Sequence, residues 1–327
     1  MTNWYDDPLF SAQDRQSCQN VFRLDEFAAP AFRLTLQSHW QQGHPFEYRA
    51  QYEKLFSVFE PYLRRDADRL VMIETAGRHP RRRTRIRDED WEPFRALQDA
   101  VLAGAMPRDE ITEWRFIGFD YQPSPQAEQR SGVASTKFFL HVEDAINLDV
   151  TIPLDDFHAP DFDLEGLKDA LLALPVSTAI AGYGLGFTDS FGSLGAGSWL
   201  LEPIAKRYPV LDLYRPADRT WRGGDADDLP EHWLLGINWL TLVGEPFLSR
   251  LGGIEAVTDG LDPRITWRAG DGVVLFQLGA RPVTGQHDVD DELLPLYVEL
   301  GARLNYSTMN GRTGSTTGAG SRGTPDA

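Results

Sequence analysis

Residues 234–253 read LLGINWLTLVGEPFLSRLGG, and this stretch constrains the fold more than any other. Ile237, Trp239, Leu240, Leu242 and Val243 make an apolar strand, which Gly244 breaks. Pro246 suits the first turn of a following helix, Phe247, Leu248 and Leu251 line that helix, and Gly252 and Gly253 end it. Trp239, a large aromatic among apolar strand neighbours, is expected in the core. Asn238 is expected to satisfy backbone groups near the Gly236 turn. None of these residues is a nucleophile with a base beside it, which points to a protein that works by its surface.

The rest of the chain supplies more strands than helices. Phe32, Leu34 and Leu36 alternate with Arg33, Thr35 and Gln37, the pattern of a half-buried strand. Further strands are expected at 70–73, 114–121, 136–142, 146–152, 176–187, 210–213, 265–268 and 273–278, the last two joined by a turn at Gly270 and Asp271. The 176–187 strand carries glycines at 182, 184 and 186, which bares one face for close packing by a neighbour. Helical spacing marks 45–63, 91–102, 162–172, 199–208 and 293–304, with Asp161 or Asp163 as a cap for the third. Residues 122–132 and 219–231 read as loops. The arginine run at 78–87 reads as a solvated loop between a strand and a helix; phosphate contact, or part of an interface with charges of both signs, are its alternatives.

Many short strands without regular strand–helix alternation predict an α+β fold, with largely antiparallel mixed sheets flanked by a few long helices. Residues 1–307 are expected to form one compact domain, with a subdomain split near 160 as the alternative, and 308–327 a disordered tail rich in Gly, Ser and Thr.

A net charge of -17 and a pI near 4.8 disfavour direct binding to nucleic acid. They suit either plain solubility or an acidic face that meets a basic partner. The opening MTNWYDDPLF has no basic-then-apolar run, no stretch is long and apolar enough to span a membrane, and the single cysteine, Cys18, excludes an internal disulfide. A cytoplasmic location is therefore expected.

Catalytic and cofactor motifs are missing. The seven histidines include no i, i+4 pair and no HExxH. His141, Asp144, Asp149, Asp155, Asp156 and His158 are dense in sequence but read as a solvated edge. The acidic groups at 225–228 and 288–292 lack EF-hand spacing. GSLGAGS (192–198) lacks the lysine of a phosphate loop, and the glycines of GYGLGF (182–187) alternate in a strand instead of opening a helix. No cofactor or metal is expected.

In order, Gly236, Ile237, Asn238, Trp239, Leu240 and Thr241, followed by Leu251, Gly252 and Gly253, resemble a segment of the type VI immunity family. FFLHVEDAINLDVTIPLDDF (138–157) and TAIAGYGLGFTDS (178–190) look like that family's preceding core segments, so the resemblance runs from about Phe32 to Leu304. It implies a bacterial antidote, encoded beside a toxin of the type VI secretion system, that binds and blocks that cognate toxin without catalysis. A nuclease is the preferred toxin, since carboxylates can stand in for substrate phosphates in a basic groove. A toxin that consumes a cytoplasmic nucleotide or cofactor is the rival. The candidate contacts are Asp155, Asp156, Asp225, Asp227, Asp228, Asp288, Asp290 and Asp291, with Tyr183, Trp221 and Trp233 as aromatic anchors. The partner is thus a protein toxin, neither nucleic acid nor membrane, and the antidote is a monomer or homodimer. A small-molecule enzyme using carboxylate acid/base chemistry, or a structural component of a secretion assembly, are the alternatives.

Overall fold

A computed structural model describes residues 28–39, 49–76, 82–86, 115–123, 137–142, 145–187, 208–212, 234–286 and 288–305. The expected helices at 91–102 and 199–208, the loops at 122–132 and 219–231 and the tail lie wholly or largely outside them. The fold is α+β, as expected, and every strand ladder among the described residues is antiparallel.

The strands are β1 (Ala28–His39), β2 (Ala67–Ala76), β3 (Arg82–Ile86), β4 (Arg115–Pro123), β5 (Lys137–Val142), β6 (Ala145–Pro153), β7 (Thr178–Phe187), β8 (Leu240–Gly244), β9 (Ile265–Ala269) and β10 (Val273–Leu278). Seven of them form one sheet in the order β5-β6-β1-β7-β8-β10-β9, and β3-β2-β4 form a second, whose β4 runs beside β5. The backbone of the arginine run is therefore not the loop that its charge suggested. From Arg82 it forms β3, with Arg83 opposite Ile73 and Arg85 opposite Val71. An apolar neighbouring strand imposes the pairing regardless of the charges on the run.

Strand periodicity sorts the seven-stranded sheet into two faces. Register places Phe32 beside Ile152 and Tyr183, Leu34 beside Val150 and Ala181, and Leu36 beside Leu148 and Ala179. This face continues through Leu240, Leu242, Val273 and Leu275 and is covered by α1 (Arg49–Asp66), α2 (Leu154–Phe157) and α3 (Leu164–Leu172). α1 presents Tyr52, Leu55, Phe56, Phe59 and Leu63 at three- and four-residue spacing, all buried. Asp163, one of the two expected caps, opens α3 by accepting a 2.8 Å hydrogen bond from Gly166 N.

The other face divides in two. Over β8 and β10 it is apolar: Val243, Val274, Phe276 and Leu278 pack with Phe247 and Leu248 of α4 (Phe247–Arg250), Val257 of α5 (Ile254–Thr258), and Leu296, Tyr297 and Leu300 of α6 (Leu294–Arg303). α4 ends where Gly252 and Gly253 take φ of 92° and 90°, and Gly253 N donates to Leu248 O at 2.7 Å. Trp239 is 2% exposed, and its indole N–H donates to Gly279 O at 3.2 Å. Asn238 and Thr241 close the turn before β8. Trp239 N donates to Asn238 Oδ1 at 2.7 Å, and the Thr241 hydroxyl donates to Asn238 O at 2.8 Å.

Candidate functional site

Over β6, β1 and β7 the second face is polar, and there the sequence expectation fails. β1 is not half-buried: Arg33, Thr35 and Gln37 are as buried as the leucines that alternate with them. Arg33, 1% exposed, donates from Nη2 to both oxygens of Asp149, at 3.0 and 2.8 Å, and from Nη1 to Asp212 O at 3.2 Å. The Asp212 carboxylate lies 3.6 Å from the same guanidinium and accepts from the Thr35 hydroxyl at 2.9 Å. A buried arginine is tolerated because two carboxylates and a carbonyl replace its water. Asp149, read from sequence as part of a solvated edge, instead turns to Arg33.

The bare face of β7 makes room for this cluster. A Cβ on Gly184 would stand 2.5 Å from Asp212 O and 2.8 Å from Arg33 Cδ, while one on Gly182 would collide with the Asn238 side chain. The close packing expected of these glycines is thus observed. Asp212 joins the sheet beside Gly184: Asp212 N donates to Tyr183 O at 3.0 Å, and Leu185 N to Asp212 O at 3.1 Å.

Residues 208–212 in turn seat the acidic loop before α6. Val210 N donates to Thr284 O at 3.4 Å, and Gly285 lies against Val210. Asp290, 3% exposed, organises that loop from inside. Its Oδ2 accepts from Thr284 N, Thr284 Oγ1 and Gly285 N, each at 3.0 Å. Asp288 and Asp291 flank it and are exposed.

Tyr183 packs against the core under α2. Its hydroxyl and His158 Nε2 are 3.1 Å apart, and its ring stands edge-on to Phe157. Burial pushes the Tyr183 phenol above its ordinary value, with smaller opposing effects of the Arg281 and Asp290 charges. Asp155 is exposed on α2, immediately before this aromatic cluster.

Of the sequence-predicted contacts, Asp155, Asp288 and Asp291 are exposed and Tyr183 is half-buried; Asp288 and Asp291 share the loop that residues 208–212 seat, while Asp155 lies on α2 and Tyr183 packs with Phe157. Asp156 and Asp290 are nearby but buried, and the Asp290 carboxylate is occupied by its own loop. Trp221, Asp225, Asp227, Asp228 and Trp233 lie outside the described residues. Sequence reasoning missed His158 as a partner of Tyr183, and the Arg33–Asp149–Asp212 cluster that fastens residues 208–212 to the sheet. The available signal was a charge placed inside each of two apolar strands, Arg33 between Phe32 and Leu34 and Asp149 between Leu148 and Val150. Among the described residues no three His, Cys, Asp or Glu side chains gather as a metal site.

Residues 85–317, more than half of the chain, match the TsiV family model, described as type VI immunity for VRR-NUC. A T6SS protein of Pseudomonas aeruginosa shares the fold at a TM-score of 0.58 and 19% identity, over 86% of this chain and 73% of that one. No curated protein sequence matches.

Proposed function

The chain belongs to the TsiV family, type VI immunity for VRR-NUC, and on that premise we propose that it binds a cognate VRR-NUC nuclease toxin and covers the toxin's active site. The family assignment carries this reading and makes the role one of immunity, without catalysis. The exposed carboxylates support it in chemical terms. Asp155, Asp288 and Asp291 are exposed carboxylates on a chain of net charge -17, and a nuclease must present a basic groove to phosphates. Tyr183, with its ring half-buried and its hydroxyl directed to His158, is a pre-ordered aromatic anchor. No helix among the described residues is long and apolar enough to cross a membrane. A nuclease finds its substrate in the cytoplasm, so the antidote acts there.

The test is calorimetry of the recombinant chain with the VRR-NUC domain encoded beside it, run alongside a DNA-cleavage assay. A one-to-one complex of nanomolar affinity that abolishes cleavage at equal stoichiometry is expected. Asp155→Lys, and Asp288→Lys with Asp291→Lys, should each weaken binding mainly through slower association, and the deficit should shrink as salt is raised. Folded partners that form no complex at micromolar concentration overturn the immunity reading. Unchanged affinity after both reversals moves the interface elsewhere and leaves inhibition intact.

A further inference from the structure

β9 is the last strand of the seven-stranded sheet, and no described strand pairs with its outer side. Its hydrogen-bonding phase follows from the ends of its ladder with β10. Gly270 N donates to Val273 O at 2.9 Å, and Gly279 N donates to Arg264 O at 3.2 Å. Hydrogen-bonded and non-bonded pairs alternate in an antiparallel ladder, so Thr266 and Arg268 turn their backbone groups toward β10. Trp267 and Ala269 turn their N–H and C=O groups outward. Ile265 confirms the phase, since its N–H leaves the ladder and donates to Asp262 O at 2.8 Å.

Open edges are normally blunted by proline, a bulge or an outward charge. β9 has no proline, pairs with β10 in unbroken register, and carries one charge, Arg268. That charge is already committed to Glu165 and, at 3.5 Å, to Asp169 on α3. Thr266, Trp267 and Ala269 are exposed, and Trp267, at 46%, is an aromatic standing beside two backbone positions that no described residue bonds.

We infer that the outer edge of β9 receives an extended, basic strand of the toxin, which bonds to the backbone of Trp267 and Ala269 and packs on the Trp267 ring. This rests on the immunity reading and names one surface through which it operates. The sign of the partner follows from the rim. Asp271 is exposed in the β9–β10 turn, while beside the strand Glu165 and Asp169 are balanced by Arg268 and Lys168, which leaves Asp271 as the excess charge at this end. At the other end Arg264 donates to Glu292 O at 3.0 Å, joining β9 to the loop that bears Asp288 and Asp291. A strand flanked by Lys or Arg is therefore attracted at the two ends of the edge, whereas a second copy of this chain would bring like carboxylates together.

Hydrogen exchange on the full chain, alone and with the toxin domain, tests the proposal. Two variants accompany it. Ala269→Pro removes an outward N–H while leaving the β10 ladder intact, and Trp267→Thr keeps strand propensity but removes the ring. Slowed exchange at Trp267 and Ala269 in the complex is expected, with at least a tenfold loss of affinity in each variant. Unchanged exchange at both amides in a wild-type complex overturns the inference while the immunity reading stands, and this readout does not depend on the variants folding. Failure of the folded wild-type chain to bind the toxin overturns both. Protection of the same amides in the chain alone, with dimeric sedimentation, assigns the edge to a second copy and also overturns the inference.

Discussion

Asp290 separates what holds the acidic loop together from what the loop offers a partner. Its Oδ2 satisfies Thr284 N, Thr284 Oγ1 and Gly285 N, all at 3.0 Å. Asp290→Ala removes three charge-assisted hydrogen bonds and strands the buried Gly285 N–H with the partly buried Thr284 N–H. At ~1–3 kcal/mol for each of the two orphaned donors, with the Thr284 hydroxyl free to find water, the loss comes to about 2–6 kcal/mol. Arg281 adds at most about 1 kcal/mol, because it is 60% exposed and 3.6 Å away. Asp290→Asn keeps an acceptor of the same shape and loses only the charge assistance, roughly 1–2 kcal/mol. Urea titration of the three proteins gives both numbers, provided the slope with denaturant is shared. Toxin affinity measured on the folded proteins should stay within about threefold for Asp290→Asn, since a neutral amide costs a charge that faces inward. An Asp290→Ala protein within about 1 kcal/mol of wild type, at equal slope, would refute the assignment of this carboxylate to the loop's interior.

Trp239→Ala should cost about 3–5 kcal/mol in the same titration, because it empties a fully buried site and leaves the Gly279 carbonyl with Gln277 Nε2 as its one side-chain donor. Gly184→Ala forces a methyl against Asp212 O and Arg33 Cδ, and should cost about 1–3 kcal/mol and lower the melting temperature. Asp262 is held at about 2, chiefly by the side-chain hydrogen bonds from Arg264. A carboxyl depressed in the folded chain stabilises it above its unfolded value near 3.8, and that contribution fades as pH falls through about 2. A side-chain NMR titration should therefore place Asp262 near 2, and Arg264→Gln should raise it toward the ordinary range; an identical titration in the variant would contradict the assignment.

Local pattern made much of this fold legible. The β9–β10 hairpin, the Asp163 cap and the glycine stop after α4 are each written within a few residues. The second face of β1 is not. Phe-Arg-Leu-Thr-Leu-Gln reads as half-exposed, because the groups that neutralise Arg33 lie 116 and 179 residues away. Charge likewise hid β3, whose arginines pair by backbone with an apolar strand. In the site, sequence treated the carboxylates at 288, 290 and 291 as equivalent. Only the turn they occupy tells Asp290, which faces the Thr284 and Gly285 amides, from its exposed neighbours. Asp156, one residue from exposed Asp155, is buried for the same kind of reason: a single helical turn sends adjacent side chains in different directions.

The buried charges and the exposed ones have opposite tasks in an antidote. Arg33 consumes Asp149 and Asp212 to fasten residues 208–212 to the sheet, and those residues seat the loop that Asp290 closes. Removing any member of this chain displaces Asp288 and Asp291 as a unit, so lost protection in such a variant reports on positioning and not on contact. Asp288, Asp291 and Asp155 are exposed, and their reversal is expected to act mainly on the field that a basic partner meets. The two groups are distinguishable by rate: surface reversals act on association and fade with salt, whereas core substitutions lower affinity through the population of correctly seated loop, which salt does not restore.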